Sequence, residues 1–87
     1  MTRVRIPSPL FSYTDGRAEL EADGATLDAL LDALDRSYPG LRFRLIDEQD
    51  RVRPTILLHV NGRVARDLSE RVGAADEVVI VAALSGG

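Results

Sequence analysis

Four consecutive β-branched residues, Val78-Val79-Ile80-Val81, lie near the end of an 87-residue chain and limit what it can fold into. Valine and isoleucine suit a pleated backbone that is packed on its faces. The run therefore reads as a strand in the middle of a sheet, opened by Asp76-Glu77. Behind it the composition changes abruptly to Ala82-Ala83-Leu84-Ser85-Gly86-Gly87. Glycine lacks Cβ, so two in succession accept almost any φ/ψ and can pass through a channel too narrow for other residues. Strand and tail together read as a rigid element aiming a slender, carboxylate-ended segment away from the body.

A chain of this length makes one domain and buries only about 60–65% of the surface its unfolded form exposes. With 45% apolar and 29% charged residues it has globular composition. No apolar run approaches the roughly 18 residues of a membrane span, and Met1-Thr2-Arg3-Val4-Arg5 lacks the apolar core of a signal peptide. Cytoplasm is the expected location. The chain has no cysteine and one histidine, which excludes disulfides, thiolate chemistry and a His-built metal cluster. The net charge of −3 argues against a general nucleic-acid or membrane-surface binder. All eleven basic residues are arginine.

Along the chain, Arg3 to Ile6 alternate as a half-buried strand, stopped by Pro7 and Pro9. Leu10, Phe11 and Tyr13 are expected to tuck against the core. Asp15-Gly16 reads as a two-residue hairpin turn. Arg17 to Ala22 alternate again, with Ala18, Leu20 and Ala22 inward. Thr26 stands where it can cap a helix, and Asp28 falls in the first turn. From Leu27 the period becomes helical: Leu27, Leu30, Leu31, Leu34 and Tyr38 form one stripe, and Asp28, Asp32, Asp35 and Arg36 the other. Pro39-Gly40 ends it. Leu41 to Ile46 fits either a short second helix or an irregular packed segment, and 47–54 is a polar loop. Thr55 to Val60 reads as a strand with Ile56, Leu58 and Val60 on one side and Leu57 and His59 on the other. Asn61-Gly62 turns the chain into a short strand at Arg63-Val64-Ala65. Residues 67–73 are expected to hold one turn of helix or 3₁₀ that buries Leu68 and Val72.

No conventional active site emerges. The glycines form neither G-x-G-x-x-G nor a P-loop, His59 has no nucleophile pattern around it, and the carboxylates fall on wet surfaces. The chain reads as a cosubstrate rather than an enzyme, with the C-terminal carboxylate as its one unusual group.

The tail Leu84-Ser85-Gly86-Gly87, with Asp76-Glu77-Val78 and Val60-Asn61-Gly62, resembles the sulfur-carrier proteins of the MoaD/ThiS family, bacterial relatives of ubiquitin. Two terminal glycines would arise by chance in roughly one chain in 200 at a glycine usage of about 7%; following a β-branched strand they are far more specific. The resemblance implies an α+β β-grasp fold, a mixed four- to five-stranded sheet packed on one main helix. It assigns residues 1–83 to that domain and 84–87 to a flexible tail. It further implies that an activating enzyme resembling ubiquitin-activating enzyme uses ATP and Mg²⁺ to adenylate Gly87. Sulfur then replaces AMP to give a thiocarboxylate, with Gly86, Ser85 and Leu84 threading the partner's channel. The proline that many members carry before the glycines is missing here, at Ala82-Ala83-Leu84-Ser85.

No bound cofactor is implied. The partners implied are the adenylating enzyme and a sulfur-accepting synthase, with molybdopterin- or cysteine-type pathways favoured by length, and the free protein is expected to be a monomer. Docking needs a surface too. If Val78 and Ile80 face the helix, Val79 and Val81 face the opposite side, where Leu57, His59 and Val64 can join them, rimmed by Arg63 and Arg66. The alternatives are a ubiquitin-like modifier conjugated through the same tail, and a β-grasp interaction module with an incidental Gly-Gly.

Overall fold

The leucine stripe sets the architecture. Thr26 is extended and its hydroxyl accepts the Ala29 N–H at 3.2 Å, starting α1 (Leu27–Ser37). Leu27, Leu30, Leu31 and Leu34 are each at most 2% exposed, and such a stripe needs an apolar surface to cover. The computed structural model, which describes residues 1–83, supplies that surface as a sheet.

The sheet is built from β1 (Thr2–Arg5), β2 (Glu19–Ala22), β3 (Ile56–Val60), β4 (Arg63–Ala65) and β5 (Glu77–Ala82). Among the described residues these five strands pair in the order β2-β1-β5-β3-β4. β5 is central, as its β-branched run predicts. It lies parallel to β1 (Val4↔Val78) and antiparallel to β3 (Leu58↔Ile80). Val4, Leu58, Val78 and Ile80 meet the leucines of α1 in one core. Fully burying each such side chain contributes about 1.5–3 kcal/mol. This is the β-grasp arrangement: a mixed sheet with one main helix across one face.

β1 and β2 pair antiparallel as expected (Arg5↔Glu19), but Asp15-Gly16 is not the hairpin turn. A 3₁₀ segment (Ser8–Tyr13), which accommodates Pro9 in its first turn, intervenes and buries Leu10. Asp15 and Gly16, both at positive φ, close the end of that segment through the Gly16 N–H to the Phe11 carbonyl at 2.9 Å. β2 starts only at Glu19, so Ala18 is exposed rather than inward.

After α1, residues Leu41–Leu45 form the short helix α2, burying Leu41 and Leu45. Arg42 fastens the two helices. Its guanidinium reaches Asp28 at 2.7 Å and Asp32 at 3.3 Å, and Asp50 of the following loop at 3.6 Å. Burial works against the charge on Arg42, yet these three carboxylates raise its pKa above the ordinary arginine value.

Residues 67–73 contain no helix. Asp67 folds back on Ser69, accepting its N–H at 2.9 Å and its hydroxyl at 2.7 Å. The carbonyls of Leu68 and Glu70 accept the Asp28 and Leu27 N–H groups at 2.9 and 3.0 Å. The segment satisfies donors that a helix start leaves without partners. Leu68 and Val72 still pack inward, Val72 fully.

Candidate functional site

β5 alternates between two environments. Val78 and Ile80, at 0% and 2% exposure, face α1, while Glu77, Val79 and Val81 face away from it. Across the strands, Leu57 stands opposite Val81, His59 opposite Val79, and Val64 opposite His59. These five residues therefore share the uncovered side of the sheet. Leu57, Val64 and Val81 are 41%, 40% and 39% exposed, and Val79 and His59 are half-buried between their neighbours. The expectation that Val79, Val81, Leu57, His59 and Val64 lie together on one face matches their positions.

Arg63 does not join them. It pairs with Val60 and falls on the same side of β4 as buried Ala65, so strand alternation turns it towards the helix side. There its guanidinium engages both oxygens of Glu70. That hydrogen bond raises the Arg63 pKa and holds the Glu70 carboxyl below its ordinary 4.5. A β-turn of two residues fixes this parity, and the apolar character of Val64 alone did not reveal it. Arg66, just beyond β4, is exposed.

The other half of the uncovered face is charged. Arg5 approaches Glu77 at 3.4 Å and Arg3 approaches Glu19 at 3.9 Å, both in the open. Exposed pairs of this kind contribute little to stability. The face is thus divided, with a polar ladder over β2 and β1 and an apolar patch over β5, β3 and β4.

The start of β5 is pinned by the turn between β3 and β4. Asn61 and Gly62 both have positive φ, 52° and 83°, the conformation that a two-residue hairpin demands. The Asn61 amide donates to Asp76 at 2.8 Å and accepts the Glu77 N–H at 2.9 Å. Asp76 also accepts the Gly73 N–H at 2.8 Å, and these bonds hold its carboxyl below the ordinary 3.8. Two sequence stretches that looked independent, Val60-Asn61-Gly62 and Asp76-Glu77-Val78, are one contact. At the other end, Ala82 stands opposite Ile56 and the Ala83 N–H donates to the Thr55 carbonyl at 2.8 Å. The backbone is paired up to that point, beside Leu57 and Val81. Leu84, Ser85, Gly86 and Gly87 lie outside the described residues.

Among the described residues the Ser69 hydroxyl meets a carboxylate, Asp67, but in an exposed turn with no third group oriented behind it, and no group of three or more acidic or histidine side chains could hold a metal. No helix among the described residues is long and apolar enough to cross a membrane. What the geometry offers is a ubiquitin-like body, a pinned central strand and an apolar patch beside that strand's exit.

Comparison with known proteins specifies the class. The chain belongs to the ThiS family, whose model matches residues 4–87 and so runs through both terminal glycines. It is 30% identical over 89 residues to the sulfur carrier protein CysO of Mycobacterium tuberculosis, covering 97% of this chain and 96% of that protein. A chain in the crystal structure of the Amycolatopsis orientalis BexX/CysO complex superposes with a TM-score of 0.91 at 29% identity, covering 100% of both chains. SAMP1 from Haloferax volcanii superposes with a TM-score of 0.78 at 28% identity, covering 99% of this chain and 98% of that one. The protein is a substrate-like carrier of this family rather than a catalyst.

Proposed function

We propose that this chain is a sulfur carrier that delivers sulfur from a thiocarboxylate at Gly87. The observation that carries the reading is a family match extending over the whole β-grasp body and through Gly86-Gly87. A carboxylate is anionic and resists nucleophilic attack, so activation must come first. The Gly87 carboxylate oxygen attacks the α-phosphate of Mg²⁺-bound ATP on an activating enzyme, and pyrophosphate leaves. Hydrosulfide then attacks the acyl carbon, the carbon–oxygen bond to AMP breaks, and the chain ends in a thiocarboxylate. Leu84, Ser85 and Gly86 carry that group into the partner, while Leu57, Val64, Val79, Val81 and His59 provide the docking patch. The sulfur-accepting synthase is of the cysteine type, which the similarity to CysO favours over the molybdopterin type. The free chain works as a cytoplasmic monomer.

Intact-mass analysis tests this directly. After incubation with a competent activating enzyme, ATP, Mg²⁺ and sulfide, the mass should change by one oxygen-to-sulfur exchange located at Gly87. An unchanged mass beside a positive control for the enzyme contradicts the reading. A second reading, conjugation to target lysines through the same tail, is favoured by the likeness to an archaeal protein described as a small modifier. It shares the activation step and differs in product, an amide-linked adduct rather than a released sulfur atom.

A further inference from the structure

The apolar patch continues around the edge of the sheet into a groove of about 360 Å³. β4 ends at Ala65, so the first part of β3 has no partner strand on that side. The loop after α2 forms the opposite wall. Val52, Ile56, Leu57 and Val64 line the groove with apolar surface, and Leu57 and Val64 belong to the docking patch as well. Three arginines, Arg51, Arg53 and Arg66, line it together with one carboxylate, Asp50. Asp50 is directed in part towards Arg42, 3.6 Å away.

Three arginines against one carboxylate make a local excess of positive charge on a chain of net charge −3, and Arg51 is only loosely engaged, 4.0 Å from Asp47 with its side chain 74% exposed. Such an excess selects partners by sign. The wall is also pre-formed. Asp47 accepts the N–H groups of Gln49 and Arg51 at 2.9 and 3.0 Å, and the Arg53 N–H reaches the Leu45 carbonyl at 3.0 Å. Arg53 stacks on the Phe43 ring at 4.5 Å and donates to the Phe43 carbonyl at 2.7 Å. Arg66 makes no ion pair among the described residues. The loop backbone then needs little ordering on binding, and the cost falls on the exposed Arg51 and Arg66 side chains.

We propose that this groove receives an acidic segment of the carrier's partner protein, an apolar side chain seated on Val52, Leu57 and Val64 with flanking carboxylates meeting Arg51 and Arg66. The inference rests on the carrier reading and adds how a partner is chosen. The apolar lining disfavours a free phosphate, which would gain nothing from it. The location matters for delivery: Ile56 lines the groove and stands opposite Ala82, and the neighbouring Thr55 carbonyl accepts the Ala83 N–H. A segment seated there is fixed beside the root of the tail, so selection by charge and presentation of Gly87 become one event.

The test uses the ¹⁵N-labelled full chain titrated with the peptide acetyl-Asp-Glu-Leu-Phe-Asp-Glu-amide. Amide shifts should move along residues 51–58 and 64–66 and fade as salt is raised, because exposed charges are screened. The sign-reversed peptide acetyl-Lys-Arg-Leu-Phe-Lys-Arg-amide should leave them unmoved. Arg51→Glu with Arg66→Glu should bind the acidic peptide about tenfold more weakly, roughly threefold per reversed charge, with an unchanged melting temperature. Equal response to both peptides, or no response in the groove, overturns the proposal. Tighter binding of a single-stranded oligonucleotide in the same groove overturns the class of partner. The same preparation is assayed for thiocarboxylate formation: conversion at Gly87 without a groove response removes this inference alone, whereas a groove response without conversion removes the carrier reading and leaves the groove.

Discussion

The two faces of the sheet use the same residue types for different ends. Beneath α1, Val78 and Ile80 meet four leucines and exclude water. On the other side Val79 and Val81, from the same run, meet His59 and Leu57 and remain partly wet. Valine on the covered face stabilises the fold by its burial. On the uncovered face it gives up little by facing water, and it can gain by meeting a partner. One strand thus carries both part of the core and part of the open apolar patch, and a shift of one residue in register would exchange them.

Charge substitution is the sharpest way to separate the faces. Ile80→Asp buries an unpaired carboxylate, which costs several kcal/mol against a typical total of about 5–15 kcal/mol. Circular dichroism should show a chain unfolded at room temperature. A folded, cooperative variant would mean the faces are assigned backwards. Smaller but still large is Leu31→Ala, which opens a cavity in the stripe and should cost about 2–5 kcal/mol by denaturant melts. Leu57→Ala on the open face should cost well under half as much, and equal losses would erase the distinction.

The latch at the start of β5 comes next. Asn61→Gly keeps the positive φ and removes the side-chain bonds to Asp76 and Glu77, which should lower the melting temperature modestly. Asn61→Ala should lose a further ~1 kcal/mol because alanine resists that backbone conformation. If the two variants melt together, the turn conformation is not what Asn61 is there for.

A gentler effect follows from the carboxylates of Asp76 and Glu70, whose folded values lie below the ordinary 3.8 and 4.5. Groups with depressed folded values contribute stability above their unfolded pKa and lose it as pH falls through the folded one. Tm should therefore stay level down to about pH 5 and fall below about pH 4, and Glu70→Gln should flatten part of that fall. A Tm that rises on acidification would contradict the assignment.

Much of this was legible in the residues, and the parts that were not have identifiable causes. Period alone fixed the helix from Leu27, its Thr26 cap and the alternation of β3 and β5, because burial enforces period. The turn type at Asn61-Gly62 was legible for the same reason that it is obligatory. Asp15-Gly16 misled because positive-φ residues also terminate 3₁₀ segments. The 67–73 segment misled because its carbonyls serve the start of α1, a contact between residues about 40 positions apart that no local pattern encodes. Arg63 was misplaced by one step of parity, and the clamp at Arg42 was missed since arginine among acids reads as a wet surface. That Leu57, His59, Val64, Val79 and Val81 share one face was legible as soon as one strand's inward residues were known.

The central claim is that the uncovered face docks and the covered face folds, and Val81→Asp tests it most directly. One sample should be followed by thermal melt and by thiocarboxylate formation with the activating enzyme. The account predicts a Tm close to that of the parent, since Val81 is already 39% exposed, together with a marked loss of activation. A charge brought into an apolar contact loses water without gaining a partner, at about 1–3 kcal/mol or more. A variant that unfolds, or one that stays folded and is activated as well as the parent, would contradict it.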